Sequence, residues 1–410
     1  MTTSNRSRAS AICSGSVVGI AGTATALALH KAGFDVTVYE AHPESAEDIG
    51  AFLTLASNGM RALAQIDASA AVTEVGFPLR SMSVLDAAGT EVAQMPLGEA
   101  HDPLLAYRCL RRGEFNAALQ AEATRRGIGL RRGARLASVE DGPHGVTARF
   151  TDGSTATGDL LIGADGLNST LRESIAPETQ PRFAGESVFY GYASEAPLVA
   201  ETGRFLMVRG GAAAFGCAMS PGEETFWFAR LAGAPLSADD ITHGTPAHWR
   251  GLLVPLLRGD ATPAADVVAA TTDRIMVTNA TEVPTGTPWR HGRTLIIGGA
   301  AHAASPATGQ GASMALEDAV VLAKSLRDAP DTESALSLYE ALRRPRVEYN
   351  ITMSGKISRG LHSPSRTGRR APAPRPGDSD LIQHLDWDFD ISTTGEGSSA
   401  AAARGGRDTG

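Results

Sequence analysis

The feature that most constrains the fold is a glycine-punctuated segment near the N-terminus. Gly19 and Gly22 stand three residues apart, and the chain continues as an Ala- and Leu-rich stretch of high helical propensity. Gly33 interrupts that stretch, and the β-branched run that follows it ends at Glu40. A helix between two strand-like runs indicates a βαβ unit, because parallel strands need a crossover connection of this kind. We therefore expect a parallel sheet covered by helices.

The same segment has the spacing of a dinucleotide-binding turn. That turn has the pattern Gly-x-Gly-x-x-Gly, because a tight turn, close approach to a pyrophosphate and helix packing all exclude side chains. An acidic residue about 20 residues further on binds ribose hydroxyls. Gly19, Gly22 and Glu40 fit this pattern, but Val17 stands where the first glycine belongs, unless Gly15 replaces it through a longer turn. We assign Gly15, Gly19, Gly22 and Glu40 to this site; the alternative is that the glycines only permit close helix packing.

Composition and charge limit the other functional classes. The chain has 410 residues, 42% of them hydrophobic, and a formal net charge of -8 without long basic runs. It can bury one or two cores, and nucleic acid and membrane surfaces are not expected partners. Cys13, Cys109 and Cys217 lie far apart without ligand spacing, so neither a disulfide framework nor a metal site is expected. With no signal-peptide pattern at the N-terminus, we expect a cytoplasmic protein. We expect it to be a monomer or a homodimer.

The remaining segments predict two interleaved domains. Strand patterns at 146–150 and 160–163 and a helix pattern at 312–326 belong with the parallel sheet, whereas 183–277 alternates as antiparallel strands do. The predicted fold is α/β, a Rossmann-like dinucleotide-binding domain interleaved with a mostly antiparallel sheet domain and followed by C-terminal helices. We assign 1–75, 100–182 and 285–350 to the first domain, 76–99 and 183–284 to the second, 351–391 to a C-terminal helical segment, and 392–410 to a disordered tail.

Two further motifs identify a family. The segment DLLIGADGLNSTLR at 159–172 follows a strand with Asp165, Gly166, Ser169 and Arg172. The segment TLIIGGAAHAASPATGQGASMALED at 294–318 opens a helix with a Gly-rich turn, whose free N–H groups and positive dipole end suit negative charge. Over residues 11–350 the chain resembles the FAD-dependent aromatic hydroxylases, the para-hydroxybenzoate hydroxylase-like group A flavoprotein monooxygenases. A middle-sheet pocket would then bind the substrate.

The resemblance implies roles for residues that their spacing alone does not give. Asp165 and Gly166 would lie where the FAD pyrophosphate and the nicotinamide cofactor approach, and Arg112 in RRGEFNAAL would reach the flavin side. Gly299 stands where the family has the Asp that holds the ribityl chain, which makes it a second departure. His302 is interpreted as structural rather than as a base. The candidate catalytic residues of the flavin-ring loop are Pro306, Gly309 and Gln310, and Gly309 and Gly311 join the cofactor-binding set.

The resemblance also implies the chemistry. Family members reduce FAD with NADH or NADPH, add O2 to the flavin C4a as a hydroperoxide, and transfer oxygen to an electron-rich ring. The predicted enzyme is an FAD-dependent monooxygenase acting on an aromatic or polyketide-like small molecule, as in antibiotic biosynthesis and other specialised metabolism. The substrate chamber would lie between the middle sheet and the flavin, lined by Phe215, Phe226 and Phe228 if these rings point inward; the alternative is that they are core residues.

An alternative follows from the two departures. Val17 and Gly299 both fall on FAD contacts, and the loss of a hydrogen bond to a charged group costs roughly 1.5 to 3 kcal/mol. The chain could therefore be a weakly FAD-binding or flavin-independent, non-redox enzyme such as a cyclase or isomerase, or a small-molecule binding protein, on the same fold.

Overall fold

The computed structural model of the chain describes residues 9–15, 19–43, 51–99, 102–143, 145–196, 201–361 and 376–393. Its strands are β1 (Ser10–Gly15), β2 (Asp35–Glu40), β3 (Phe52–Leu55), β4 (Phe77–Leu79), β5 (Ser81–Asp86), β6 (Glu91–Pro96), β7 (Tyr107–Arg111), β8 (Gly129–Arg132), β9 (Leu136–Gly142), β10 (Gly145–Phe150), β11 (Thr155–Gly158), β12 (Leu160–Gly163), β13 (Arg182–Ala193), β14 (Arg204–Arg209), β15 (Ala214–Met219), β16 (Thr225–Ala232), β17 (Met276–Glu282), β18 (Arg290–His291) and β19 (Thr294–Ile296). Its helices are α1 (Ile20–Lys31), α2 (Ser57–Gln65), α3 (Ser69–Thr73), α4 (Arg112–Arg125), α5 (Thr170–Ile175), α6 (Ala238–His243), α7 (Pro246–Leu257), α8 (Ala264–Ala269), α9 (Gly299–His302), α10 (Gly311–Asp328), α11 (Thr332–Ser358) and α12 (Asp378–Leu385).

Six of the described strands form the parallel sheet that the N-terminal glycine pattern predicts. Their order is β18-β19-β12-β1-β2-β8, and within this sheet only the pair β18 and β19 is antiparallel. Strand β1 lies in the interior of the sheet between β12 and β2, and its Ile12 and Cys13 are buried. The carboxyl ends of the five parallel strands, β19, β12, β1, β2 and β8, meet at one edge, which is where α/β sheets bind their ligands.

Helix α1 is buried because it packs between this sheet and helix α10. Residues 20–29 are all buried, which accounts for the small Ala and Leu side chains of the segment. Gly33 lies just beyond the helix with φ +93°, in the left-handed region that favours glycine. The amides of Gly33 and Phe34 donate to the carbonyls of His30 and Leu29. The helix therefore ends where the sequence predicts a break.

A second sheet has the order β17-β13-β16-β15-β14-β5-β6 and is antiparallel apart from the pair β14 and β5. Its two faces are covered differently. Helices α7 and α8 cover one face, where Trp227 and Phe215 pack with Trp249 and Leu253. The other face carries rings that meet Phe52 of β3, namely Tyr190, Tyr192, Phe226 and Phe228.

The smaller elements join the two large sheets. Strands β3, β7 and β4 form one antiparallel sheet, and β9, β10 and β11 form another. At the C-terminal side, Leu385 and Ile391 are buried in the main core cluster. Lys324 of α10 donates to the carbonyl oxygen of His384 at 2.8 Å, and this bond ties the segment 376–393 to α10. Ile391–Thr393 forms a short 3-10 turn, and residues 394–410 lie outside the described part.

The predicted fold class is confirmed: a parallel, helix-covered sheet is interleaved along the chain with a mostly antiparallel one. Within the described residues, no helix has both the length and the apolar character needed to cross a bilayer. In the same residues, no group of His, Cys, Asp and Glu side chains is arranged to hold a metal ion.

Candidate cofactor and substrate site

The end of β1 and the start of α1 lie at the carboxyl edge of the parallel sheet. Gly15 is paired in parallel register with Glu40 at the ends of β1 and β2. Gly19 precedes α1, and its carbonyl accepts the amide of Gly22 at 3.1 Å. Among the described residues no side chain caps this helix, and its first turn carries no acidic residue, so its positive dipole end is suited to an anion. Val17, the predicted departure, lies outside the described residues.

Glu40 is a buried carboxylate at this edge. One of its oxygens accepts the backbone N–H of His42 at 2.6 Å. Burial raises its pKa to about 7, against the lowering effects of that hydrogen bond and of Arg132 and Arg135. A ligand that donates hydrogen bonds to the ionised form of this carboxyl group would offset the free-energy cost of burying its charge. Ribose hydroxyls are donors of this kind.

The second motif continues from β12, the strand beside β1. Gly166 has φ +73°, so this turn needs a residue that adopts the left-handed region. Asp165 is buried, which raises its pKa, and it accepts the amide of Leu171 at 3.3 Å. Ser169 caps helix α5 by accepting the amide of Arg172 at 2.9 Å. The Ser of this motif therefore shapes the turn that carries Asp165 and Gly166.

Arg172 joins the second motif to the third. Its guanidinium is buried, and Nη1 donates to the carbonyl oxygen of Ala300 at 3.0 Å while Nη2 donates to that of Leu167 at 2.5 Å. Ala300 is the second residue of the short helix α9, next to Gly299. The Arg of the motif thus holds the β12 and β19 loops together.

Gly299 and Gly166 lie against each other. A Cβ atom built on Gly299 would lie 3.5 Å from the Cα of Gly166, which is an ordinary van der Waals contact. The preceding Gly298 has φ +54°, and a Cβ there would come within 2.9 Å of the Cβ of Ala21 on α1. The third motif therefore packs directly on the first turn of helix α1, and position 299 has room for a Cβ atom.

His302 belongs to a buried charged cluster beneath the motif. Its Nε2 lies 2.5 Å from Oδ2 of Asp318, which also accepts the amide of Gly298 at 3.1 Å. Burial alone would raise the pKa of Asp318, but the charges of His302 and Arg343 hold it at about 2. These contacts hold the imidazole of His302 against Asp318, and a structural role for His302 stays a prediction.

The 305–311 loop leads into helix α10. Residues 306–308 form a 3-10 turn, and Gly309 follows with φ +65°. A Cβ on Gly309 would lie 3.3 Å from Oγ1 of Thr54 on β3, whereas one on Gly311 would meet no heavy atom within 4 Å. Helix α10 has no side-chain cap and no acid in its first turn. The loop therefore offers a second helix N-terminus, with glycines on either side of Gln310.

The side chain of Gln310 is engaged by the protein. Its Oε1 accepts Nδ2 of Asn58 at 3.1 Å, and the same amide donates to Oε1 of Glu317 at 2.7 Å. The side-chain oxygen of Gln310 is therefore occupied within the protein. Arg343 and Arg346 pair with Glu317 from helix α11, which fixes this carboxylate beneath the loop.

Helix α11 supports the loop with residues that the sequence reasoning missed. Thr308 donates to Oδ1 of Asn350 at 2.9 Å and lies 2.8 Å from Oγ of Ser354. Ser358 lies one turn further along and contacts Ser305. The four-residue spacing of Asn350, Ser354 and Ser358 places them on one helix face and is the signal that could have identified them.

Arg112 begins helix α4 beside β3. It is exposed to solvent, but the surrounding protein removes enough water to lower its pKa. Its guanidinium makes no hydrogen bond or ion pair with the part of the chain that the structure describes, and Tyr190 is its charge neighbour. Arg112 therefore retains its donors for a ligand.

Aromatic rings form a wall close to the loop. Phe52 lies 5.7 Å from Phe226, 6.1 Å from Tyr190 and 6.4 Å from Phe228 between ring centroids. The ring of Phe228 lies over Gly216 of the neighbouring strand, where a Cβ would come within 2.7 Å. Burial raises the pKa values of Tyr190 and Tyr192 to about 12, so both hydroxyls keep their protons.

Phe215 does not line this wall, and that part of the prediction was wrong. Its ring stacks on Trp227 at 6.1 Å on the opposite face of the sheet, under α7 and α8. Phe226 and Phe228 do face Phe52. The pattern of alternation identifies two faces of a strand, but it does not tell which face is covered by helices.

The donor set fits FAD. The N-terminus of α1 suits a pyrophosphate, Glu40 suits a ribose, and the N-terminus of α10 suits negative charge at the flavin ring. Among the described residues, neither helix has a side-chain cap and Arg112 has no hydrogen-bond or ion-pair partner, so all three keep their donors for a ligand. The structure brings Gly15, Gly19, Glu40, Asp165, Gly166 and Gly299 to one sheet edge. It places Arg112 and the 305–311 loop beside β3.

Comparisons with known proteins agree with this fit. The family model described as an FAD binding domain matches residues 15–354. The chain is 30% identical over 344 residues to the aurachin C monooxygenase/isomerase of Stigmatella aurantiaca, covering 83% of this chain and 86% of that protein. It is 32% identical over 336 residues to the FAD-dependent urate hydroxylase of Klebsiella pneumoniae, covering 80% and 85%.

Solved structures show the same fold. The Klebsiella pneumoniae protein HpxO, complexed with FAD and uric acid, has a TM-score of 0.76 at 26% identity over 95% of each chain. CtdE in complex with FAD and a substrate has a TM-score of 0.79 at 20% identity, over 96% of this chain and all of its own, which supports the fold alone. The chain belongs to the FAD-binding-domain family and is an FAD-dependent monooxygenase.

Proposed function

We propose that the protein uses NADH or NADPH and O2 to hydroxylate an aromatic or polyketide-like small molecule. The observation that carries the proposal is the arrangement of strand β3. Phe52 and Thr54 are two residues apart and lie on one face of this strand. Phe52 belongs to the aromatic wall, and Thr54 lies against Gly309 of the 305–311 loop. A flat ring held on this wall would therefore lie beside the flavin-facing loop.

The wall suits a flat, electron-rich ring. Its edge-to-face and stacked contacts are those that aromatic rings prefer, and it offers hydroxyl donors from Tyr190 and Tyr192. Arg111 closes one end, with its guanidinium 3.9 Å from the centre of the Tyr192 ring and paired with Glu224. Urate, named for one relative, is also a planar ring compound.

We assign the cofactor contacts as follows. Gly15, Gly19 and Gly22 form the turn around the pyrophosphate, and Glu40 accepts the ribose hydroxyls. Arg112, Asp165, Gly166 and Gly299 line the path from the pyrophosphate to the ribityl chain. Pro306, Gly309, Gln310 and Gly311 meet the flavin ring. When bound, FAD supplies the two-electron chemistry and the C4a atom at which O2 is activated. The protein orients the ring, keeps water out and supplies N–H donors through the loop.

The division of the chain follows the same assignment. We propose that 1–75, 100–182 and 285–350 bind FAD, and that 76–99 and 183–284 bind the substrate. The three cysteines are free and buried, which supports a reducing, cytoplasmic setting. Synthesis or modification of an antibiotic-like product is the setting we propose.

The test uses purified protein reconstituted with FAD. Yellow protein whose oxidation of NADH or NADPH accelerates with an aromatic compound, and that releases a hydroxylated product, supports the proposal. Substrate candidates are best screened as pairs of a phenol and its methyl ether, since the wall should favour the electron-rich, hydroxylated member. Conversion of a substrate by colourless protein that takes up no FAD would contradict it.

A second candidate rests on Gly299, which has no carboxylate where the family places one. A weakly FAD-binding or flavin-independent cyclase or isomerase would use the aromatic wall as a template. Such an enzyme would convert its substrate under anaerobic conditions without NADH or NADPH. The same reaction run with and without O2 separates the two candidates.

A further inference from the structure

Glu186 lies where three elements of the fold meet. Its Oε1 accepts Oγ of Ser358 from helix α11 at 2.8 Å and Oγ of Ser305 from the 305–311 loop at 3.2 Å. Nη1 of Arg230, on strand β16, lies 3.4 Å from the same oxygen. All four residues are buried. One carboxylate thus joins the antiparallel sheet, the loop and the long helix.

The same carboxylate is connected to the aromatic wall. In the pairing of β13 with β16, Val188 is opposite Arg230 and Tyr190 is opposite Phe228. Because side chains alternate along a strand, Glu186 and Tyr190 share the face that carries Phe228 and Arg230. The guanidinium carbon of Arg230 lies 5.9 Å from the centre of the Phe228 ring. A continuous set of contacts therefore runs from the wall through Arg230 and Glu186 to Ser305.

A buried carboxylate such as Glu186 destabilises the folded protein unless hydrogen-bond donors or cations surround it. A buried carboxylate is stabilised only when donors satisfy it, and an apolar side chain could fill the same space at lower cost. Two hydroxyls, which also lie 2.5 Å from each other, and one cation surround Oε1 of Glu186, and each of the three comes from a different element. Such a junction holds its partners in one geometry, and removal of one partner affects the others.

We propose that Glu186 is a positioning residue that couples Arg230 of the substrate wall to Ser305 of the 305–311 loop. This proposal rests on the proposed function, because it assigns that loop to the flavin ring. It implies that a change at Arg230, on the wall, alters FAD binding at the loop. It also implies that this effect depends on the side chain at position 186.

The test is a double-mutant cycle read by the dissociation constant of FAD, measured by flavin fluorescence without turnover. Arg230→Met and Ser305→Ala are made singly and together, in the natural protein and in Glu186→Leu. With Glu186 present, the two changes should be non-additive by about fivefold in the FAD dissociation constant. With Leu at 186 the non-additivity should fall below about twofold.

Two variants separate positioning from general damage. Glu186→Gln keeps a carbonyl that accepts from Ser305 and Ser358 but loses the charge that attracts Arg230. It should restore the FAD affinity and absorption spectrum that Glu186→Leu loses, without restoring the coupling. Arg204→Met is the matched control, because Arg204 lies on the same sheet and pairs with exposed Glu201. It should leave the FAD dissociation constant unchanged.

Equal non-additivity with Glu and with Leu at position 186, or none in either, would overturn the proposal. A failure of every variant and of the natural protein to bind FAD would instead overturn the proposed function. In that case the same cycle is measured by urea unfolding of the cofactor-free protein, where additive effects of Arg230→Met and Ser305→Ala would overturn the coupling as well.

Discussion

Gly299 faces Gly166 across the junction of the second and third motifs, and a Cβ atom on Gly299 would lie 3.5 Å from the Cα of Gly166. That distance needs no movement of the backbone. Position 299 is therefore a glycine without a steric reason to be one in the described structure. A residue with a Cβ atom can therefore replace Gly299 without a clash at that atom.

Gly299→Asp should tighten FAD binding roughly ten- to a hundredfold, because one hydrogen bond that involves a charged group contributes about 1.5 to 3 kcal/mol. The dissociation constant of FAD, measured by fluorescence titration, gives the answer. Gly299→Asn is the matched control, since it has the same shape without the charge and should gain less. Unchanged affinity in Gly299→Asp would show that the third motif has been aligned to the wrong residue.

Glu40 should make the stability of the cofactor-free protein depend on pH. Its pKa rises from an ordinary value of 4.5 to about 7 on folding, so the folded state favours the protonated form. The contribution of the neutral carboxyl is fully present below pH 4.5 and is lost as the pH rises through 7. Glu40→Gln should therefore be more stable than the natural protein by roughly 2 kcal/mol at pH 8, with little difference at pH 4.5.

Urea unfolding of both proteins at the two pH values measures this difference. The same substitution should weaken FAD binding at pH 8, because an amide attracts ribose hydroxyls less strongly than a carboxylate does. Equal stability of the two proteins at pH 8 would show that ionisation of Glu40 costs the folded protein no stability, and would contradict the raised pKa.

Arg172 should be essential to the stability of the motif junction. Arg172→Met leaves the carbonyls of Ala300 and Leu167 without their donors in a buried site, and should cost about 2 to 4 kcal/mol in the free energy of unfolding. Arg293→Met is the control, because the hydrogen bond from half-buried Arg293 to the carbonyl of Asp159, at 3.3 Å, is exposed to solvent and its loss should cost less than about 0.5 kcal/mol. Similar losses for both variants in urea unfolding would contradict the structural role of Arg172.

The local parts of this structure could be predicted from the sequence, and the reason is physical. Gly33 ends α1 through a backbone conformation that few other residues adopt, and Gly19 marks the start of that helix. Alternating apolar residues likewise gave β10 and β16. In each case the signal depends on neighbours in the chain.

The contacts that assemble the site carry no such signal. Arg172 and Ala300 are 128 residues apart, and Ser305 and Glu186 are 119 apart. Their pairing is decided by how the sheets pack, so the motif predicted Arg172 as important but not what it touches. Glu186 was missed altogether, because a single acid on a strand reads as a solvated side chain until the loop and α11 are placed over it.

The two faces of the antiparallel sheet should respond differently to the loss of a ring. Phe215 is fully buried with Trp227 beneath the helices, so Phe215→Ala should lower the free energy of unfolding by about 3 to 5 kcal/mol. Phe228 is only partly buried on the opposite face, so Phe228→Ala should cost less stability but admit water beside the 305–311 loop. In FAD-loaded protein we then expect a larger fraction of the NADH or NADPH oxidised to yield hydrogen peroxide instead of hydroxylated product. Peroxide yield and urea unfolding, measured on both variants, check the assignment. If Phe215→Ala yields as much hydrogen peroxide as Phe228→Ala, the substrate has been assigned to the wrong face of the sheet.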